Sequence, residues 1–411
     1  MTVDSGESLD VTDPAFIAEP YPSFTRLRSK ALIQHDPGLG TAVTVSHQVC
    51  DRVLRDRRFE RIWADAQPAG QFAEFNRIHR WNMLSSSAGH QRLRAPMAAV
   101  FHRRRMETMR DTIAFHADRL VADFARQASA DAEGADLMEA VAAQLSITVI
   151  AELLGWPSAD RPLLRPWSNA IVKMYEPGVA DDQRRRAEQA AAEFADYADA
   201  LIAQRRSHPS TDLLGDLVSA ADRDPDTGLT DDELIANYIL LLMAGHEANV
   251  NALGNAVVAL CGHPGQWRRL REELAGDPAA MERAVDELLR YDTPNQLFER
   301  TATQELTFAD HHFAQGEKIA LLLGAANRDP EAFAAPDELD LTRSPNPHLS
   351  FGAGIHYCLG APLARMEVAS ALTSLARYLP DIALTREPRR RPEFVIRGYA
   401  EVQVTGSACT P

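Results

Sequence analysis

The chain has 411 residues, of which 45% are apolar, so it can bury a large core. Its formal net charge of −15 at pH 7 argues against a general nucleic-acid binder, because phosphate binding needs a basic surface. Four cysteines without paired spacing argue against a disulfide framework.

The N-terminal stretch MTVDSGESLDVTDPAF is polar and acidic, and it lacks the basic and apolar regions of a signal peptide. No apolar run in the sequence approaches the roughly 20 residues that a membrane helix needs. We therefore expect a cytoplasmic protein that does not bind membranes or nucleic acids.

Apolar residues recur at three- and four-residue steps along most of the chain, which is typical of amphipathic helices. Shorter stretches alternate apolar and polar residues, which is typical of strands. In chain order the predicted elements are a strand at 41–46, helices at 107–128, 136–156, 183–206, 229–261 and 359–379, and a strand at 394–404. The pattern predicts one domain over residues 1–411, mainly α with small β-sheets, whose first 14 residues are flexible.

The longest predicted helix, at 229–261, begins with a capping box formed by Thr230 and Glu233. Its middle, 238–244, is apolar on all sides, so we expect it to be buried. The polar stretch 245–249 then interrupts the apolar run. Two interpretations stay open. One is a helix kink with a solvated patch; the other is a helix beside a ligand, with Gly245 allowing a close approach and Glu247 in a polar pocket.

Cys358 lies alone in the glycine-rich stretch HLSFGAGIHYCLGAPLAR at 348–365. For an arbitrary cysteine the simplest interpretation is a buried thiol that acts as a small hydrophobe. A zinc site with His348 and His356 lacks a fourth ligand and the usual paired spacing. A dinucleotide-binding loop fails because Tyr357 occupies the third glycine position.

A thiolate ligand to a haem iron explains more features of this stretch. Gly352, Gly354 and Gly360 give the loop the freedom to wrap a sulfur and to admit a flat macrocycle. The predicted helix at 359–379 would point its positive end at the thiolate and stabilise the anion.

The pattern Phe351-Gly352-x-Gly354-x-His356-x-Cys358-x-Gly360 resembles the haem-binding loop of the cytochrome P-450 superfamily, in particular of its soluble bacterial members. Other matching residues follow in the family's order: His90 and Arg94 in GHQRLR, Ala244-Gly245-His246-Glu247 in the long helix, Glu287 and Arg290 in DELLR, and Arg300. The resemblance implies the cytochrome P-450 fold, with haem b between the long central helix and the cysteine loop. It also implies that Cys358 is the axial ligand of the metal.

The resemblance assigns the remaining matched residues to the haem or to a structural pair. The predicted cofactor-binding residues are His90, Arg94, Ala244, Gly245, Arg300, Phe351, Gly352, His356 and Gly360. Four of them, the two histidines and two arginines, would bind the haem propionates, whose charges need cationic or donor partners in a protein interior. Considered singly, these four could be solvated surface groups, and Glu287–Arg290 could be an exposed i, i+3 ion pair rather than a buried one.

The resemblance implies a monooxygenase that takes electrons from a ferredoxin and a ferredoxin reductase. Arg103, Arg104 and Arg105 are candidates for docking the ferredoxin, and the alternative is an arginine triplet that simply faces water. We expect the protein to be a monomer.

The residues expected to deliver protons depart from the family pattern, which places threonine after the acidic residue of the long helix. Here Ala248 and Asn249 follow Glu247, and alanine has no hydroxyl. One hypothesis is that a substrate hydroxyl or a substrate-held water replaces the threonine; a second is that Asn249 or Glu247 organises a water chain. A third is that the reaction is a coupling, a rearrangement or a peroxide-driven oxidation. A tolerated change with poorer coupling is the simplest alternative.

By family analogy, the predicted substrate contacts are Leu241, Asn295, Leu297, Phe298 and Ile396. The mixture of aromatic and polar residues around the expected pocket favours a medium-sized oxygenated molecule, free or attached to a carrier protein. We expect its oxidation, most simply a hydroxylation, to belong to natural-product biosynthesis. The competing class is a non-catalytic haem-binding protein, which the missing threonine favours and the intact cysteine loop argues against.

Overall fold

The structure, a computed structural model, describes residues 8–85, 89–101, 103–223 and 228–409, without the side chains of Val100 and Arg103. The helices are α1 (Pro14–Ala18), α2 (Tyr21–Arg28), α3 (His47–Arg55), α4 (Ala73–Arg80), α5 (His90–Val100), α6 (Arg103–Ala130), α7 (Gln144–Leu154), α8 (Arg161–Val172), α9 (Asp181–Ser207), α10 (Leu213–Arg223), α11 (Asp231–Gly262), α12 (Pro264–Arg269), α13 (Pro278–Tyr291), α14 (Leu323–Ala326) and α15 (Ala361–Tyr378). The strands are β1 (Gln34–Asp36), β2 (Thr41–Thr44), β3 (Phe59–Glu60), β4 (Ala135–Asp136), β5 (Leu297–Ala302), β6 (Leu306–Phe308), β7 (His311–Phe313), β8 (Lys318–Leu322), β9 (Ala383–Leu384), β10 (Arg389–Arg390), β11 (Tyr399–Glu401) and β12 (Gln403–Thr405). The predicted fold class, mainly α with small β-sheets, is confirmed.

The five helices predicted from apolar periodicity are all present. Four of them correspond to α6, α9, α11 and α15, and the one predicted at 136–156 starts as a π-helical turn, Met138–Ala143, before α7. The capping box of α11 is confirmed, because the Thr230 hydroxyl accepts from the backbone N–H of Glu233 and the Glu233 carboxylate accepts from that of Thr230.

The strand predicted at 394–404 is too long. Only β11 and β12 are extended, and residues 394–398 form an irregular segment. The backbone N–H groups of residues 394–396 donate to the carboxylate of Glu176, so they are not available to a neighbouring strand.

The long helix α11 runs through the centre of the helical part and packs against α4, α7, α9 and α15. Of the stretch 238–244, which was predicted to be buried, Tyr238 to Met243 are buried, but Ala244 is exposed. Burying one such leucine side chain contributes about 1.5–3 kcal/mol to folding. Around this axis α15 lies along α6, and α8 lies along α9.

The main sheet has five strands in the order β1-β2-β8-β5-β3. The pair β2 and β8 is parallel, and the other neighbours are antiparallel. The sheet packs on α3 and on Leu349 and Ala353 of the cysteine loop, in an apolar cluster separate from the helical core. Arg300 pairs with Ile319 in the register of β5 and β8. The packing of the sheet therefore places Arg300 beside the cysteine loop.

The N-terminal segment was predicted to be flexible over residues 1–14. Residues 1–7 lie outside the described part of the chain. In residues 8–14, Leu9 and Val11 are buried in an apolar cluster, and the backbone N–H of Leu9 donates to Asp36 at 3.0 Å. Among the described residues, no helix is both long enough and apolar enough to cross a bilayer.

Candidate active site

The cysteine loop turns sharply at two glycines before α15. Gly352 and Gly354 have φ angles of +68° and +69°, which L-residues with side chains rarely adopt. A Cβ atom on Gly354 would lie 2.3 Å from the carbonyl oxygen of Leu54, so a side chain there would displace α3. The loop closes where the backbone N–H of Cys358 donates to the carbonyl of Phe351 at 3.0 Å.

The Cys358 thiol has exposed surface, but it is surrounded closely enough by protein that burial raises its pKa. The backbone N–H of Gly360, the Arg94 and Arg365 guanidinium groups and the N–H of Ala361 act against this and lower the pKa. Ala361 is the first residue of α15, so the positive end of that helix faces the sulfur, as the sequence predicted. The loop therefore offers a thiolate several stabilising partners.

The helix α11 has an open stripe in its otherwise buried middle. Ala244 is exposed and Ala248 is half-buried, whereas Met243, His246 and Glu247 are buried. Residues 244 and 248 are one turn apart on the same face of the helix. This face, lined by two small side chains, leaves room for a flat ligand against α11.

Gly245 has a packing role that the sequence does not reveal. A Cβ atom at this position would lie 2.4 Å from Cδ1 of Ile150, so the missing side chain allows α11 to approach α7. Residues 245–249 remain part of a continuous helix. The missing side chain thus serves a helix–helix contact, and a contact of Gly245 with the haem stays a prediction.

The four residues predicted to bind propionates come together beside the cysteine loop. The rings of His90 and His356 are 4.3 Å apart, and Arg94 donates to the carbonyl oxygen of Tyr357. Burial and the nearby cations, Arg300 first among them, lower the pKa of His356 to about 3. These side chains form a cationic cluster from α5, β5 and the loop, in which His90 and Arg300 are buried and Arg94 and His356 are half-buried.

Arg61 is a fifth member of the cationic cluster, and sequence reasoning missed it. Burial and, to a smaller extent, the charge of Arg61 lower the pKa of Arg300 to about 10; Arg61 also lowers the pKa of His356. Like charges held together away from water cost free energy unless an anion joins them. The two propionates of a haem are such anions, so these residues fit that group. No sequence motif marks a single arginine in a loop, so Arg61 could not be predicted from the sequence.

Glu287 and Arg290 form a fully buried pair rather than an exposed one. Both side chains have 0% exposed surface, and two hydrogen bonds of 2.7 and 2.8 Å join them. Arg290 also donates to the carbonyl oxygens of Asn327, Pro336 and Glu338, at 2.7–2.9 Å. The pair therefore fastens α13 to the irregular segment that precedes the cysteine loop.

The Glu247 carboxylate is buried and faces α8 and the C-terminal part of the chain. Ser168 donates to it at 3.2 Å, and a guanidinium nitrogen of Arg391 lies 3.5 Å from its other oxygen. Burial raises the pKa of Glu247, and Arg391 opposes this effect. Ser168 and Arg391 thus lie on elements other than the cysteine loop.

Asn249 joins α11 to a buried acid on α15 that sequence reasoning also missed. Its Nδ2 donates to Oε2 of Glu367 at 3.3 Å and to the carbonyl oxygen of Gly245 at 3.4 Å. Burial raises the pKa of Glu367 to about 8, although hydrogen bonds from Ser146 and Asn249 act against it. Glu367 is therefore protonated at pH 7, and its hydrogen-bond partner Asn249 is the residue that follows Ala248 in α11.

The five predicted substrate contacts pack against different parts of the core, and their role stays a prediction. Leu241 belongs to the helical core and Ile396 packs against it, whereas Leu297 packs against the N-terminal cluster. The Phe298 ring would lie 3.3 Å from a Cβ atom on Gly352, so it packs on the cysteine loop. Asn295 pairs with Ile396 in an isolated bridge.

The arginine triplet predicted to dock a ferredoxin is partly neutralised. Arg104 is exposed, and Arg105 makes an ion pair of 2.6 Å with Asp216. The side chain of Arg103 lies outside the described part of the chain.

The comparisons with known proteins agree with this site. The family model of Cytochrome P450 matches residues 169–380. The chain belongs to the cytochrome P450 family. Cytochrome P450 monooxygenase PikC of Streptomyces venezuelae is 36% identical to it over 397 residues, which are 95% of this chain and 91% of that protein. The polyketide biosynthesis cytochrome P450 PksS of Bacillus subtilis strain 168 is 36% identical over 87% of this chain and 86% of its own length.

The solved structures give the same family and fold. P450BioI, in complex with an acyl carrier protein ligated to hexadec-9Z-enoic acid, superposes with a TM-score of 0.89 at 31% identity, over 95% of this chain and 100% of that one. The chain of 411 residues is thus a P450 monooxygenase. Its cofactor is haem, which this family binds through a cysteine thiolate. The family resemblance predicted from the cysteine loop is confirmed.

Proposed function

We propose that this P450 holds its haem through Cys358 and hydroxylates a medium-sized oxygenated substrate in natural-product biosynthesis. The observation that carries the proposal is the Cys358 thiol at the positive end of α15, next to the cationic cluster. His90, Arg94, Arg300 and His356, with Arg61, would hold the propionates, and bound haem would supply the redox chemistry that activates dioxygen.

The proton supply in this proposal runs through Glu367 and Asn249 in place of the family's threonine. Glu367 carries a proton at pH 7, because burial raises its pKa to about 8. Asn249 orients the Glu367 carboxyl by donating to Oε2, while the Glu247 carboxylate is held by Ser168 and Arg391. A hydroxyl group of the substrate, or a water that it holds, completes the path beside Ala248, which has no hydroxyl of its own.

The names of the relatives support the substrate class. PksS is named for polyketide biosynthesis, and P450BioI was solved with a lipid-charged acyl carrier protein. We therefore propose an oxygenated natural product, either free or attached to a carrier protein. A ferredoxin with its reductase is the proposed electron source, and exposed Arg104 is the residue of the triplet best placed to meet it.

The carbon monoxide difference spectrum of the reduced protein tests the ligand. We expect the strongly red-shifted Soret band of a thiolate in the wild type and its loss in Cys358→Ser, while Cys409→Ser, which replaces another exposed cysteine, keeps it. A red-shifted band that survives in Cys358→Ser would contradict the assignment.

Turnover with a surrogate ferredoxin and reductase tests the activity. Candidate polyketides and acyl groups, free and carrier-bound, should yield product with NADPH as the electron source. Product formed with hydrogen peroxide alone, and none with the redox partners, would replace the proposal by a peroxide-driven oxidation. A thiolate haem without turnover in either assay would leave a non-catalytic haem protein.

A further inference from the structure

Glu176 makes an unusual set of contacts in the segment that joins α8 to α9, residues 173–180, which we call the lid segment. Its Oε2 atom accepts from the backbone N–H groups of Phe394 and Val395, both at 2.9 Å. Its Oε1 atom accepts from the N–H of Ile396 at 3.1 Å. One carboxylate therefore binds three consecutive amides of residues 391–398, the C-terminal turn.

These hydrogen bonds are partly buried. Burial raises the pKa of Glu176, as does Glu393, while the three amides lower it. Hydrogen bonds to an ionised acceptor are roughly twice as strong as neutral ones. Because the amides of residues 394–396 have this partner, the turn keeps a fixed backbone without being part of a strand.

The residue before Glu176 fastens the opposite edge of the lid segment. The Tyr175 hydroxyl lies 2.7 Å from Nε2 of His79, and the indole of Trp63 stacks on the His79 ring at 4.3 Å between centroids. Consecutive lid residues thus contact the side chain of His79 in α4 and the backbone of the C-terminal turn. The C-terminal turn carries Ile396, which is one of the predicted substrate contacts.

We infer that Glu176 is a positioning residue for the substrate, which holds the lid segment against the C-terminal turn and so sets the place of Ile396 in the pocket wall. Ile396 is one of the three residues whose amide it binds, and its side chain packs against the helical core. Arg391 of the same turn pairs with Glu247, so the position of the turn also affects that acid. This inference rests on the proposed function, which assigns the pocket.

Hydrogen exchange of the haem-loaded protein tests the contact itself. Glutamine offers one acceptor oxygen instead of two and places an N–H₂ group against an amide donor. We expect Glu176→Gln to speed exchange at amides 394–396 by about tenfold or more relative to the wild type. The matched control is Glu317→Gln, because Glu317 accepts from the backbone N–H of Ala314 in the remote β7–β8 turn.

Unchanged exchange at residues 394–396 would overturn the inference, and so would a uniform increase over the whole chain, which would indicate loss of global stability only. If Glu176→Gln does not fold, Glu176→Asp carries the test, since it keeps the charge on a shorter side chain. Faster exchange confined to 394–396 then supports the inference, and wild-type exchange overturns it.

Azole binding, followed by the Soret shift, tests the effect on the pocket. We expect Glu176→Gln to change the Kd of 4-phenylimidazole by about tenfold and that of imidazole much less, because the larger ligand reaches the pocket wall. Equal Kd values for 4-phenylimidazole in variant and wild type would overturn the positioning role. A protein without a thiolate-haem spectrum would instead contradict the proposed function, while the exchange result would stand.

Discussion

Replacing Glu367 with glutamine keeps the shape of a buried side chain and removes its titration. Burial raises the pKa of Glu367 from an ordinary value of 4.5 to about 8. Between these two pH values the folded protein keeps a proton that the unfolded chain has released. The contribution of Glu367 to stability is therefore complete below about pH 4.5 and is lost as the pH rises through 8.

The size of the effect follows from proton linkage. One proton held by the folded state alone changes the free energy of unfolding by roughly 1.4 kcal/mol per pH unit. Between pH 5 and pH 7 the wild type should lose about 3 kcal/mol that Glu367→Gln does not lose. The free energy of unfolding of Glu367→Gln minus that of the wild type should therefore be higher at pH 7 than at pH 5 by this amount. The substitution's own effect at pH 5 does not alter this change.

Urea unfolding of both haem-loaded proteins at pH 5, 6 and 7 measures this difference, because every other titrating group is common to the two chains. Glu331→Gln, which removes an exposed carboxylate, is the control for the loss of a charge. Parallel stability curves for the wild type and Glu367→Gln would refute the reasoning. Glu367→Gln should also form less product per NADPH consumed, because the amide of glutamine has no acidic proton that it can transfer.

Three further predictions concern α11 and the buried pair. Arg290→Met should lower the free energy of unfolding by about 3–5 kcal/mol, since it leaves Glu287 buried without its main partner; the double variant with Glu287→Gln should recover part of the loss in urea unfolding. Gly245→Ala should cost about 1–3 kcal/mol, because its Cβ atom meets Ile150, and Ile150→Ala in the same chain should relieve the clash; equal costs in both backgrounds would contradict the packing role. Ala248→Thr should improve turnover of a substrate analogue that lacks its hydroxyl, and a variant and wild type with the same preference for the hydroxyl would argue against substrate-assisted proton delivery.

Local sequence patterns predict the features that depend on near neighbours along the chain. Apolar periodicity places the long helices, and Thr230 with Glu233 marks the start of α11 to the residue. Gly352 and Gly354 mark the turn before Cys358, because only a residue without a side chain adopts that backbone easily. These signals are local, and the family motif is built from them.

Features that depend on a contact with a distant segment of the chain become visible only in the folded structure. The backbone amides of residues 394–396 bind Glu176 instead of a neighbouring strand. This segment is therefore irregular, although its alternation of apolar and polar residues predicted a strand. Arg61 joins the cationic cluster only because β3 and β5 are neighbours in the sheet.

Glu367 on α15 is the clearest example of a feature that local sequence patterns do not predict. Asn249 and Glu367 are 118 residues apart and have no shared motif, yet a hydrogen bond joins them in the folded protein. Burial raises the pKa of Glu367, and burial is a property of the packed helices around it rather than of its sequence neighbours. Local residue patterns therefore predicted the haem-binding loop, whereas the raised pKa of Glu367 depends on how α11 and α15 pack.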